Sequence, residues 1–192
     1  MRSVLAMDDV TLIDCDAPAD RVPRILIVEP NRSYCGVLAR RISEGGYRVA
    51  TAGNAQTAMA ELNRLRVDLV LAELRMPGSG GAELAAMVRQ DAVHRHIPIM
   101  LITGRSEPTA PVRAYEAGAD DVILKPFHFD VLLARIGRRL ENARALLALR
   151  EDNAVLDARV VTRAMELGEI RDQLRASEAE RARLAALISP GA

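Results

Sequence analysis

Lysine is all but missing from this chain. Of its 26 basic residues one is lysine, Lys125, and the rest are arginine. In such a sequence a single lysine suggests that a compact ammonium is needed at that point. Net charge is missing too, since 26 acidic residues balance the 26 basic ones. That balance argues against a general nucleic-acid or membrane-surface binder. No long uncharged apolar run occurs, which excludes a membrane-spanning helix and leads us to expect a cytoplasmic protein. The first 24 residues carry several aspartates and only a short apolar run, unlike a signal peptide. The two cysteines, Cys15 and Cys35, have no metal-ligand spacing and read as reduced thiols without a role.

What is present reads as globular: 49% apolar and 27% charged residues over 192 positions, enough for one domain and an appendage. Residues 1–23, punctuated by Pro18 and Pro23, read as a flexible extension. From Arg24 apolar runs alternate with amphipathic stretches. RILIV (24–28), YRVATA (47–52), DLVLAE (68–73), IPIMLIT (97–103) and DVILKP (121–126) have the character of strands. Helices are expected between them: from an Asn31 cap to Gly45–Gly46, over 54–65 from an Asn54 cap, over 80–90 and over 111–119. Strict alternation predicts an α/β fold, a flavodoxin-like doubly wound sheet of five parallel strands. Sites in such sheets form beyond the carboxyl ends of the strands. There the sequence places Glu29, Glu73, Thr103 and Lys125.

RILIVEPN, DLVLAELRMPGSGG, IPIMLITGR and EAGADDVILKPF follow in an order and spacing that resembles the receiver domain of two-component response regulators, over residues 24 to 140. The resemblance implies the fold reached above. It also implies a phosphoacceptor aspartate ending strand three, two acids after strand one that help it hold Mg²⁺, and a Thr and a Lys contacting the phosphoryl oxygens. Thr103 and Lys125 stand at those last two positions. The others depart. The acidic pair is Glu29–Pro30, one acid lost; the phosphoacceptor position holds Glu73; two residues on is Arg75; and the usual aromatic of strand five is Val122. Glutamate carries its charge roughly 1.5 Å further out than aspartate. Glu73 is therefore expected to pair with Lys125, to accept a hydrogen bond from Thr103, and to mimic a phosphorylated state. With Pro30 in place the magnesium site is expected to be degenerate, with no metal or other cofactor. Arg75 is either a pocket cation standing in for the ion or a solvated loop residue. These readings describe an atypical regulator, not an enzyme and with no catalytic residue, that works by protein contact. A conventionally phosphorylated regulator is the alternative.

From His128 no proline interrupts the chain until Pro190. A 3,4 spacing selects Leu146, Leu149, Asn153, Leu156, Val160, Leu167, Ile170 and Leu174, the seam of a coiled coil over 141–188. Asn153 at an a position favours a parallel dimer, whereas Arg163, Ser177, Arg181 and Gly168 weaken the seam. A folded-back helical hairpin is the other reading. Residues 189–192 read as a disordered end. LDARVVTRAMEL (156–167) looks like the coiled linker that follows receivers in multidomain signalling proteins, often ahead of enzymes acting on cyclic di-GMP, but no output-enzyme motif follows it. The expected partners are a second copy of the chain and a signalling protein such as a histidine kinase or an output protein. A degenerate receiver joined to an RNA-binding antiterminator module is a further alternative. Against it, the tail balances its charges and has no aromatic beyond Phe129 for stacking on bases, so nucleic acid is not expected.

Overall fold

The computed structural model describes residues 21–104 and 109–188. The expectations for residues 1–20, Cys15 among them, and for 189–192 lie outside these residues. Five strands, β1 (Arg24–Val28), β2 (Arg48–Ala52), β3 (Leu69–Glu73), β4 (Ile99–Gly104) and β5 (Asp121–Lys125), alternate with α1 (Arg32–Glu44), α2 (Ala55–Arg64), α3 (Gly81–Gln90), α4 (Ala110–Glu116) and α5 (Phe129–Ile188). All strand pairs are parallel, in the order β2-β1-β3-β4-β5. This is the doubly wound arrangement that the alternation predicts.

The three central strands are continuous apolar runs because helices cover both their faces. Ile25–Val28, Leu69–Ala72 and Ile99–Ile102 are all buried. One face packs Leu26, Val70 and Leu101 against Ala58 and Leu62 of α2, Leu84 and Val88 of α3 and Ala114 of α4. Alternation along each strand turns Ile27, Leu71 and Ile102 to the other face, where α1 and the first turns of α5 lie. These two helices meet: Arg41 sits 5.3 Å over the Phe129 ring. A Cβ on Gly45 would stand 2.7 Å from Leu133.

Local signals place the ends of the elements. Asn31 caps α1, its side chain accepting from the Tyr34 N–H at 3.0 Å, and Asn54 with Thr57 forms a capping box on α2. Gly46 and Gly118, past the ends of α1 and α4, take φ of 88° and 96°, conformations that suit glycine. Two polar ties have no local signature. Asp68 accepts from Arg21 and from the Arg24 N–H, each at 2.6 Å, so Arg21 and the start of β1 are tied to the start of β3. Arg89 donates to the carbonyls of Arg95, Ile97 and Gly118 and pairs with Asp120, whose carboxylate also accepts from the Ile99 N–H. Those bonds set the starts of β4 and β5.

The chain divides into two compact units between Ile136 and Gly137. The division falls inside a helix, four residues before the Leu140 boundary expected. α5 runs unbroken for 60 residues, so the hairpin reading of the tail does not hold. Within the second unit Leu146, Leu149, Leu156, Val160, Leu167, Ile170 and Leu174 are all exposed.

The strand-tip pocket as candidate functional site

Lys125 is the last residue of β5, and its ammonium is the centre of the pocket. Nζ lies 2.6 Å from Glu73 Oε2 and 3.8 Å from Glu29 Oε2. The Glu73 contact has the short length of a charge-assisted hydrogen bond. Glu73 and Glu29 keep only 13% and 5% of their side-chain surface exposed, against 31% for Lys125. Two carboxylates this sheltered need a cation, and among the described residues Lys125 lies beside both.

The backbone fixes this geometry. Val28 is level with Ala52 and Ala72, so Glu29 stands one residue past β1 and beside the end of β3. Glu73 is level with Ile102, and Lys125 with Gly104. Glu29, Glu73 and Lys125 all alternate toward the α1 side of the sheet. Glu29 is held further by accepting the Asn31 N–H at 2.9 Å, and Glu73 Oε1 faces the Arg75 N–H at 3.4 Å.

Thr103 behaves differently from expectation. It is fully buried, and its hydroxyl donates to the Gly104 carbonyl at 3.4 Å, not to Glu73. Thr103 is one residue past Ile102, the partner of Glu73, and the pleat turns it to the opposite face. Pro30 borders a shallow cleft of about 400 Å³ with Arg32, Cys35 and Thr51. Arg75 gives its N–H to Glu73, while its exposed side chain lines a separate cleft of about 300 Å³ with Met76, Gly80 and Arg113. Val122 is buried within β5, and its carbonyl accepts from Arg135 of α5 at 2.9 Å.

One pocket residue escapes the sequence reading. Tyr34, on the first turn of α1, places its ring 4.1 Å from Lys125 Nζ. The only sequence hint is its position five residues after Glu29, just inside an Asn-capped helix. Burial pushes the Tyr34 hydroxyl pKa up; Lys125 pulls it down, and Glu29 and Glu73 push it up again. Burial, with Glu29 adding to it, also raises the pKa of the neighbouring Cys35 thiol. Such a thiol stays protonated and unreactive. Among the described residues, no three His, Cys, Asp or Glu side chains gather as a metal-holding group.

Comparison with known proteins gives this pocket a family. A model of the response regulator receiver domain matches residues 25–137. Sensory transduction protein BceR of Halalkalibacterium halodurans is 34% identical over 122 residues, 62% of this chain and 52% of that protein. A protein of Vibrio cholerae named as a probable cyclic di-GMP phosphodiesterase is 29% identical over 148 residues, 77% of this chain but 33% of its own length. The chain thus spans about half of the first relative and a third of the second. Among solved structures, the signal receiver domain of a signal transduction histidine kinase from Syntrophus aciditrophicus superposes with a TM-score of 0.60 at 33% identity, covering 63% of this chain and 92% of that one. The chain belongs to the response regulator receiver family of two-component signalling.

Proposed function

We propose that this response regulator works without Mg²⁺-dependent aspartyl phosphorylation. Its strand-three carboxylate stands permanently where a phosphoryl group would, and it signals by protein contact. The observation carrying the reading is the 2.6 Å contact between Glu73 Oε2 and Lys125 Nζ. A phosphoryl group needs that ammonium as its counter-charge, and Glu73 already takes it. The donor set also fits magnesium poorly. Mg²⁺ asks for several hard oxygens in octahedral array, whereas here two carboxylates share an ammonium and Pro30 offers no side-chain oxygen. The family's partners, a histidine kinase or an output protein, would then read one standing conformation. Incubating the full chain with a small phosphodonor and Mg²⁺ should leave its intact mass unchanged. A stoichiometric, hydroxylamine-labile phosphoryl adduct would overturn the reading.

The tail supplies the second half of the proposal, dimerisation through α5. A seam of exposed aliphatic residues from Leu146 to Leu174 supports it. So does the unbroken helix, because one of this length with an aliphatic stripe gains most of its stability from a partner. An Asn153 pair at one a layer would set a parallel register at some cost in stability. Light scattering on the full chain should give twice the chain mass. A monomer at micromolar concentration would remove the coiled-coil half and leave the pocket half standing.

A further inference from the structure

The Tyr34–Lys125 contact has no part in the function proposed above. A lysine ammonium is strongly hydrated and rides on a flexible stem, so a half-exposed one ordinarily turns to water. Here it faces Glu73 at 2.6 Å, Glu29 at 3.8 Å and the Tyr34 ring centroid at 4.1 Å. The face of an aromatic ring is the negative end of its quadrupole and attracts a cation at that distance. The backbone that carries the ring is anchored, because the Tyr34 N–H is bound to the capping side chain of Asn31. A tyrosine hydroxyl is a neutral phenol at pH 7, and burial raises its pKa further, so this is a cation–π contact and not an ion pair.

We infer that Tyr34 is a positioning residue: its ring holds the Lys125 ammonium against Glu73 and closes the pocket to small oxyanions. An incoming phosphate or sulfate would have to displace the ring and then face two carboxylates. The inference deepens the reading of the pocket as self-occupied and rests on it. It adds that α1, and not only the strand tips, keeps Lys125 from other partners.

The chain offers a clean measurement, because Lys125 is its only lysine. A neutral acylating reagent then marks one side chain, with the α-amino group as internal reference and peptide mass as the readout. In the full-length Tyr34→Leu protein, acylation of Lys125 should be about two- to fivefold faster than in the wild type, the population shift a partly exposed cation–π contact supplies. Tyr34→Phe keeps the ring and should react at the wild-type rate. Leucine is a good helix former and keeps the position apolar without a ring; if that variant fails to fold, Tyr34→Met takes its place. An unchanged rate in the Leu or Met variant overturns the inference, as does a Phe variant as reactive as the Leu one. Failure here is separate from failure of the proposed function: a phosphoryl adduct on the wild type removes the self-occupied pocket, whereas an unmoved acylation rate removes only the role of Tyr34.

Discussion

Gly81→Ala should destabilise the receiver unit by about 3 kcal/mol, at the upper end of what overpacking costs. Gly81 begins α3 and packs back against the tip of β3. A Cβ there would lie 2.5 Å from the Glu73 carbonyl oxygen, 3.0 Å from the Leu74 Cα and 3.1 Å from Leu101. Two of those neighbours are backbone, so no rotamer change relieves the clash. The Gly81 N–H is also bound to the Leu74 carbonyl at 2.8 Å, and the Leu74 N–H to the Ile102 carbonyl at 2.7 Å. Pushing α3 outward therefore strains the strand end that aims Glu73. The chain has no tryptophan and all three tyrosines precede residue 137, so urea unfolding followed by tyrosine fluorescence reports on the receiver alone. Gly36→Ala is the control. Gly36 lies within α1 with nothing within 4 Å of a Cβ, so alanine there should stabilise by up to about 1 kcal/mol. If the two substitutions have equal effects, close packing at Gly81 is not what holds the tip of β3.

Lys125→Met should cost about 2 kcal/mol. Removing one partner of a fully buried pair costs about 3–5 kcal/mol, because the other charge is left unpaired. The figure is lowered here because 31% of the Lys125 side chain is exposed and water can replace part of the lost interaction. What remains is the burden of Glu29 and Glu73, both sheltered and both deprived of their cation. Adding Glu73→Gln to Lys125→Met should therefore recover about 1 kcal/mol, a non-additive result that marks direct coupling. The same urea series measures both. A neutral Lys125→Met, with no recovery in the double variant, would mean that solvent screens the pair and that it does not hold the pocket.

The fold and the pocket were legible to different degrees. β1, β3 and β4 read directly as strands because both their faces are buried, which leaves uninterrupted apolar runs such as RILIV. Asn31, Asn54 and Gly46 marked helix ends because capping and left-handed turns depend on the residue at the site itself. Glu29, Glu73 and Lys125 could be placed near each other because strand ends in a parallel sheet share one edge. The direction of each side chain could not be read in the same way. Thr103 was expected against Glu73, but register and pleat turn its hydroxyl to the Gly104 carbonyl. Tyr34 lay unnoticed in an ordinary amphipathic helix, since its contact with Lys125 spans 91 positions and depends on how α1 lies over the sheet. The Arg89 cluster and the Asp68–Arg21 tie were invisible for the same reason.

Residue order alone settled the alternation of elements, the family, the missing second acid at Pro30 and the glutamate at position 73. Each of these is a property of a residue type at a position or of a local period, and neither needs long-range geometry. The tertiary structure decided which of those residues meet. It set Lys125 2.6 Å from Glu73, turned Thr103 away, brought Tyr34 in, and carried α5 to Ile188 without a return. A contact of that kind depends on strand register, pleat and helix packing at once, and those are fixed only when the whole sheet is assembled.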